Sequence, residues 1–167
     1  MVLIFFLNIT LMNAIFKKLN YKDQGTLYII NSPDSFTPEM KKMEDLAEVK
    51  TTLDNAKGLT FVIAFVTKQN EVDKLAETIA RKLAPDGILW FAYPKGSSKR
   101  YKCEFNRDTG WQKLGDLGFE GVRMVAIDED WSALRFRKAE AIKKMTRSFA
   151  MSEAGRKKVA ASRKSKN

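Results

Sequence analysis

LTFVIAFVT (59–67) and ILWFAYP (88–94) are the two stretches of sequence that decide the fold. Each is a continuous apolar run, which is typical of a β-strand that is covered on both faces. The segment between them, residues 69–84, has a single apolar stripe at helical spacing, made of Val72, Leu75, Ala76, Ile79, Ala80 and Leu83. This order of strand, amphipathic helix and strand predicts a βαβ unit with parallel strands and a right-handed crossover.

Shorter patterns extend this unit in both directions. Before the unit they predict a first strand at about residues 26–31 and a helix at about 37–47 that begins at Thr37-Pro38. A weak second strand is predicted at about residues 49–53. After the unit we expect a short helix that follows Asp108, then a strand and a half-exposed antiparallel edge strand at about 122–127 and 133–137. The whole predicts a three-layer, Rossmann-like α/β domain with a mostly parallel sheet and a C-terminal antiparallel hairpin. This pattern is methyltransferase-like but truncated.

The positive charge is concentrated at the C-terminal end of the chain. The 167 residues carry 30 basic and 20 acidic side chains, a net charge of +10, and the segment from Arg135 to Asn167 accounts for all of this excess. We expect a basic amphipathic helix over 138–150 and a loose chain from 151 onward. Basic clusters bind nucleic-acid phosphates by charge alone, although a purely solubilising tail is the alternative. The candidate nucleic-acid-binding residues are Lys143, Lys144, Arg147, Arg156, Lys157, Lys158, Arg163 and Lys164.

Two residue counts restrict the chemistry. The chain has no histidine, which excludes Ser-His-Asp and Cys-His catalysis in their usual forms and removes the commonest zinc ligand. Cys103 is the single cysteine, so no intrachain disulfide forms, and this favours a reducing, cytoplasmic location. With no base available to activate it, Cys103 is interpreted as incidental. We therefore predict no metal site and assign no catalytic residue.

The first eleven residues, MVLIFFLNITL, are apolar but short. A membrane-spanning helix needs about 20 residues. A secretory signal has basic residues before its apolar run, whereas Lys17 and Lys18 follow this one. We interpret residues 1–11 as an extended start or a loose end, with a membrane-associating segment or an added strand as alternatives. Residues 1–24 then form an N-terminal arm, 25–137 the α/β domain and 138–167 the basic tail.

Four segments resemble a known family. They are LYIINSPDSF (27–36), DGILWFAYPKGSSK (86–99), NRDTGW (106–111) and AIDEDWSALRFR (126–137). Over about residues 25–137 the chain is similar to the uncharacterised bacterial domain-of-unknown-function family 3052. The resemblance implies a Rossmann-like α/β domain without an established activity.

Polar residues follow several of the predicted strands, at the edge where parallel sheets bind ligands. Lysine charges, serine hydroxyls and backbone amides there could hold a small anion, and solvated surface turns are the alternative. The candidate ligand-binding residues are Asn31, Ser32 and Asp34 after the first strand, Lys95, Ser97, Ser98 and Lys99 after ILWFAYP, and Asp128, Trp131 and Arg135 at the last hairpin.

The turn after the first strand lacks glycine. No glycine occurs between Gly25 and Gly58, which excludes a G-x-G-x-x-G fingerprint or a P-loop at that position. A methyltransferase normally has a glycine-rich loop there, so that the backbone can approach the cofactor. We therefore predict that the domain takes no cofactor.

Three functions stay open at this point. The first is a non-catalytic Rossmann-like binding or adaptor domain for a small anionic ligand or a protein partner. The alternatives are a nucleic-acid-associated protein that uses its basic tail and a divergent methyltransferase-like enzyme. A membrane partner is not expected, and the sequence leaves the oligomeric state open.

Overall fold

The structure is a computed structural model that describes residues 14–142 and 150–164. The predicted strands and the central helix lie in these ranges, whereas the N-terminal segment 1–11 lies outside the described residues. Residues Lys143, Lys144 and Arg147, and most of the helix expected over 138–150, lie outside the described residues.

A six-stranded mixed sheet forms the centre of the molecule. In sheet order β2-β1-β3-β4-β6-β5, the first four strands are parallel, and β6 runs antiparallel to both β4 and β5. This arrangement confirms the predicted mostly parallel sheet. The strands are β1 (Thr26–Ile30), β2 (Glu48–Lys50), β3 (Leu59–Phe65), β4 (Leu83–Pro94), β5 (Phe119–Ala126) and β6 (Trp131–Lys138).

Helices cover both faces of the sheet. In the part of the chain that the structure describes, the α-helices are α1 (Ala14–Lys18), α2 (Thr37–Met43), α3 (Gln69–Lys82), α4 (Gln112–Asp116) and α5 (Glu153–Lys164), with single 3₁₀ turns at Asp34–Phe36 and Ala139–Ala141. Among the described residues, no helix is long and apolar enough to cross a membrane.

Two apolar cores lie on opposite faces of the sheet, because successive side chains of a strand point to opposite sides. On one face Val62 and Leu89 pack with the stripe of α3 that begins at Val72. On the other face Phe61 and Trp90 pack with residues of α1, α2 and the segments beside them. The Trp90 indole is fully buried and donates a hydrogen bond to the Leu19 carbonyl oxygen at 2.9 Å. The domain therefore has the three layers that the sequence predicts.

The last hairpin differs from the prediction in one respect. We expected residues 133–137 to form a half-exposed edge strand, whereas β6 lies inside the sheet between β4 and β5, and β5 forms the edge. Ala133, Leu134 and Phe136 are buried. Leu134 and Phe136 belong to one core and Ala133 to the other. The interior position therefore buries more apolar surface than an edge position would.

The C-terminal segment is also more ordered than expected. We predicted a loose chain from residue 151, but α5 is attached to the body through Glu120, whose side chain is buried. The Glu120 carboxylate accepts hydrogen bonds from the backbone N–H of Met151 (2.9 Å) and from the N–H and hydroxyl of Ser152 (both 2.8 Å). The Ser152 hydroxyl in turn accepts the Gly155 N–H at 2.9 Å, which caps the helix. A β-carbon at Gly155 would overlap this carboxylate, so the contact requires glycine there.

We expect Glu120→Ala to release α5 and to lower the free energy of unfolding by about 1–3 kcal/mol, because three donors lose a charged acceptor. Hydrogen exchange of the amides of residues 153–164, together with urea unfolding, measures both effects. Glu153→Ala is the control, since Glu153 is exposed and forms a surface ion pair with Lys157 at 3.2 Å. This substitution should lower the free energy of unfolding by less than about 0.5 kcal/mol. Equal exchange in the two variants would contradict the anchoring role of Glu120.

Candidate functional site

The loop that follows β4 is fixed in place by the turn between β5 and β6. Asp130 accepts a hydrogen bond from the Ser98 hydroxyl at its Oδ1 atom (2.8 Å), and its backbone oxygen accepts the Lys95 N–H (2.7 Å). The Ser98 hydroxyl oxygen also accepts the N–H of Tyr101 at 3.2 Å. Ser98 and Lys95, which the sequence put forward as ligand-binding residues, are therefore held in defined positions.

The far end of the same loop is attached to the beginning of α3. The Glu104 carboxylate accepts the backbone N–H of Gln69 at 2.7 Å, and the Gln69 side chain donates to the Gly110 oxygen at 2.8 Å. The Glu71 carboxylate accepts the N–H of Thr67 and of Lys68 at 3.1 and 2.9 Å. The free N–H groups at this helix end are thus bound by carboxylates of the chain itself.

A cleft of about 620 Å³ opens between this loop and the β5–β6 hairpin. Tyr93 and Phe105 form an apolar wall whose ring centroids lie 6.2 Å apart. The cleft lies at the carboxyl end of β4, where parallel sheets bind ligands. Its lining also includes Lys95, Gly96, Ser98, Tyr101, Lys102, Cys103, Asn106, Arg107, Met124 and Ser132. A wall of rings beneath three cationic side chains can hold a flat molecule that carries negative charge.

A second cleft, of about 410 Å³, lies beside the first and shares Arg107 and Met124 with it. Trp111 and Met151 line this second space, so the segment before α5 contributes to it. The Trp111 indole donates hydrogen bonds to the Asn106 and Arg107 oxygens, both at 3.0 Å, and thereby orders the loop next to the cleft. The two spaces together form one groove.

Two weakly acidic groups on the cleft wall, the Cys103 thiol and the Tyr93 hydroxyl, have pKa values above their ordinary values. Burial raises the pKa of the Cys103 thiol, and a backbone hydrogen bond from Phe105 only partly opposes this. The pKa of Cys103 therefore lies above its ordinary value, and the interpretation of Cys103 as incidental stays a prediction. Burial likewise raises the pKa of Tyr93, whose hydroxyl donates to the Met124 sulfur at 3.4 Å. Neither group is a ready base at neutral pH.

The turn after β1 forms a second region at the same edge of the sheet. Asn31 follows the strand directly and has a φ of 56°, in the left-handed region that glycine enters most easily and asparagine tolerates. Asn31 and Asp34 are exposed, and the Ser32 hydroxyl donates to the Met40 sulfur at 3.1 Å. Since β3 lies between β1 and β4, this turn is about 10 Å from the cleft.

The structure does not bring the hairpin residues into the cleft. Asp128 accepts the N–H groups of Asp130 and Trp131 at its Oδ1 atom, both at 2.8 Å, so its carboxylate shapes the turn. Trp131 is buried between Phe65 and Tyr101, at centroid distances of 5.2 and 5.0 Å, and locks the hairpin to the core. Neither residue lines the cleft, and the ligand-binding role proposed for them stays a prediction.

Three other candidates also lie away from the cleft lining. Ser97 and Lys99 are exposed on the loop and do not line the cleft. Arg135 occupies the opposite face of the sheet, because its neighbour Leu134 faces the second cleft.

Sequence reasoning missed the aromatic and methionine part of the cleft. The sequence analysis placed Tyr93 and Met124 in strands and did not put forward Phe105 or Arg107 as binding residues. Met124 is exposed in the structure despite its apolar side chain. The alternation of side chains along β5 predicts the face of the sheet on which Met124 lies. Whether Met124 is exposed there depends on how much of that face the loop after β4 covers.

The basic residues of α5 fall into two groups. Arg156, Lys157, Arg163 and Lys164 are exposed, as a nucleic-acid-binding surface would require. Lys158 is different, because its ammonium group donates to the Ala139 and Ile142 carbonyl oxygens and so attaches the helix to the body. Its ammonium group thus has contacts within the chain, and its assignment as a nucleic-acid-binding residue stays a prediction. Within the described residues, no group of three or more acidic or cysteine side chains could hold a metal ion.

Comparison with known proteins gives a fold but no family. No protein-family model matches the chain, and no curated protein matches it in sequence. A SAM dependent methyltransferase from Aquifex aeolicus has a similar structure, with a TM-score of 0.50 and 12% identity over 77% of this chain and 95% of that one. The structure of DhpI in complex with SAH matches with a TM-score of 0.49 and 11% identity, over 75% of this chain and 82% of that one. Aeropyrum pernix fibrillarin with natively bound S-adenosyl-L-methionine matches with a TM-score of 0.45 and 12% identity, over 70% of this chain and 67% of that one.

The Aquifex aeolicus likeness shows that the chain has the Rossmann-like α/β fold of methyltransferases. It also contradicts our expectation that no cofactor is involved, because the protein that shares the fold is SAM dependent. The prediction failed because it equated a tight turn after β1 with glycine, whereas Asn31 makes the left-handed turn in its place. The resemblance to family 3052 stays a prediction.

Ser98→Ala should lower the free energy of unfolding by about 1 kcal/mol, because the Asp130 carboxylate loses the Ser98 donor and the loop loses one of its two hydrogen bonds to Asp130. Ser97→Ala is the matched control on the neighbouring, exposed residue and should change stability by less than about 0.5 kcal/mol. Urea unfolding of both variants measures the difference. Equal stabilities would show that the Ser98–Asp130 contact does not fix the loop.

Proposed function

We propose that this chain is a divergent methyltransferase-like domain that binds an S-adenosyl compound at the carboxyl ends of β1 to β3. The observation that carries the proposal is the sheet order, with the antiparallel β6 inserted between β4 and β5, in a structure that matches a SAM dependent methyltransferase from Aquifex aeolicus. This likeness favours the methyltransferase-like alternative over a non-catalytic adaptor. The inference rests on the fold, since the identity is 12%.

The turn after β1 fits such a cofactor in its backbone shape. Asn31 at a φ of 56° reverses the chain directly after the strand, which is the geometry that a close backbone approach to a ligand needs. The exposed Asn31 amide and Asp34 carboxylate can hydrogen-bond amino, carboxylate or hydroxyl groups of the ligand. Pro33 lacks a backbone N–H, so this turn offers one donor fewer than a glycine-rich loop would.

The groove at the end of β4 is the proposed acceptor site. Once bound, S-adenosylmethionine supplies an electrophilic methyl group. The chain itself contributes a wall of Tyr93 and Phe105 that excludes water, and the cations Lys95 and Arg107 that orient a negatively charged, flat acceptor. The Tyr93 hydroxyl, with its raised pKa, stays neutral and can act as a hydrogen-bond donor. With no histidine in the chain, acceptors that are already nucleophilic are favoured over those that need a strong base.

Isothermal titration of the full chain with S-adenosylhomocysteine tests the cofactor site. We expect saturable binding, retained in Asn31→Gly and weakened at least about tenfold in Asn31→Val, because a β-branched residue is strained at positive φ. Asn55→Val is the matched control, since Asn55 also has a positive φ, of 58°, but lies in the loop that leads into the amino end of β3. Absence of binding to the unmodified chain, or equal weakening in both valine variants, would overturn the proposal.

A nucleic-acid partner is a second candidate, favoured by a basic helix that is held to the body rather than loose. Four exposed basic side chains of α5, at Arg156, Lys157, Arg163 and Lys164, form the proposed surface. We expect binding of a short single-stranded RNA to weaken steeply with salt, and the salt slope to fall by about 3 when all four become glutamine. Fluorescence anisotropy measures this slope. An unchanged slope would assign the binding to another surface.

A further inference from the structure

Three arginines share one face of the β5–β6 hairpin, on the side of the sheet away from the groove. Arg123 of β5 lies directly opposite Arg135 of β6, and Arg137 lies two residues further along the same strand. Residues that alternate with them, Leu134 and Met124, line the second cleft on the other side. We call Arg123, Arg135 and Arg137 the arginine face.

The two carboxylates closest to this face are already engaged within the chain. Glu120 is the cross-strand neighbour of Arg137, but its carboxylate accepts hydrogen bonds from Met151 and Ser152. Arg137 pairs with Asp86 at 2.8 Å and also donates to the Ala141 oxygen at 3.4 Å. Arg123 and Arg135 form no ion pair within the described ranges 14–142 and 150–164. The remaining residues, 1–13, 143–149 and 165–167, contain no aspartate or glutamate. No acidic side chain of those segments can therefore neutralise the face.

The donors of the face are also incompletely used. The Nε atoms of Arg135 and Arg137 are buried and have no hydrogen-bond partner in the described structure. Each buried donor without an acceptor costs about 1–3 kcal/mol of folding free energy. Because these Nε atoms are shielded from solvent, an anion from outside the chain would contact the terminal N–H groups of the half-buried Arg135 and Arg137 side chains instead.

The charges on the face oppose one another. Like charges directly opposite on paired strands destabilise a sheet. Burial lowers the pKa of the Arg135 guanidinium, the charges of Arg137 and Arg123 lower it further, and Asp86 only partly compensates. Arginine stays protonated nonetheless, so the repulsion persists until an anion binds.

We propose that the arginine face is a binding site for a phosphate-type oxyanion. Two guanidinium groups without carboxylate partners, plus a third shared with Asp86, match the charge of a phosphate dianion, and their planar forks match its oxygens. The site is independent of the proposed cofactor turn and of the groove, because it lies on the opposite face of the hairpin. Its ligand is either a small phosphorylated molecule or a phosphate of a lipid headgroup, which present the same chemistry.

Equilibrium titration of the full chain with inorganic phosphate, followed by ³¹P NMR at constant ionic strength, tests the site. We expect saturable binding that weakens at least about tenfold in Arg123→Gln. Arg123 is the exposed member of the face, so its replacement should leave the fold intact, which circular dichroism checks. Arg100→Gln, at an exposed arginine of the loop after β4, is the matched control and should bind phosphate like the unmodified chain.

Arg135→Gln provides an independent measurement. Removal of this charge should raise the melting temperature in chloride buffer, because the cross-strand repulsion disappears, and should abolish the further rise that phosphate gives the unmodified chain. A phosphate-induced rise that is the same in both proteins would overturn the proposal. The proposal would also be overturned if the unmodified chain bound no inorganic phosphate in the titration and the variants bound anionic vesicles equally.

Co-sedimentation with phosphatidylglycerol vesicles separates the two sources of the phosphate group. The basic tail contributes equally to vesicle binding in all variants, so the comparison between Arg123→Gln and Arg100→Gln isolates the face. Weaker sedimentation of Arg123→Gln alone would support the site and assign its ligand to a lipid headgroup. Equal sedimentation, together with selective loss of inorganic phosphate binding, would support the site and assign it to a small phosphorylated molecule.

Discussion

The need to cover both faces of β3 and β4 is the constraint on which the rest of the structure depends. These neighbouring strands present apolar side chains on each side, with Phe61 and Trp90 in one core and Val62 and Leu89 in the other. Such strands are stable only between two helical layers. The layer on one side comes from α3, and the layer on the other side comes from α1, α2 and the segments that join them.

That central position also fixes where chemistry can occur. Because β1, β3 and β4 run parallel, their carboxyl ends meet at one edge, and the turn after β1 lies beside the groove at the end of β4. The loop after β4 then needs to be held open over the groove. Asp130 secures it at one end and the Gln69–Glu104 contact at the other. The proposed cofactor turn and acceptor groove are therefore neighbours as a consequence of the topology.

Charge is used in two different ways at the hairpin. Glu120 is a buried carboxylate with three donors, so its desolvation is compensated and it attaches α5 to the body. Arg123 and Arg135 face each other without a carboxylate of their own. The Glu120 carboxylate has all of these hydrogen-bond donors within the chain, and its role is to attach α5. The arrangement of Arg123 and Arg135 is incomplete, which is why it points to a ligand.

The sequence by itself determined the layered α/β architecture, since long apolar runs and the stripe of α3 leave few other ways to bury those side chains. It also placed Lys95 and Ser98 directly after a buried strand, and both residues line the cleft at the end of β4, whereas their role in ligand binding stays a prediction. Only the tertiary structure decided that β6 is interior, that Asn31 replaces glycine in the turn after β1, and that Arg135 leaves the ligand edge for the opposite face. These outcomes depend on strand pairing between distant segments and on single backbone angles, and local periodicity carries neither kind of information.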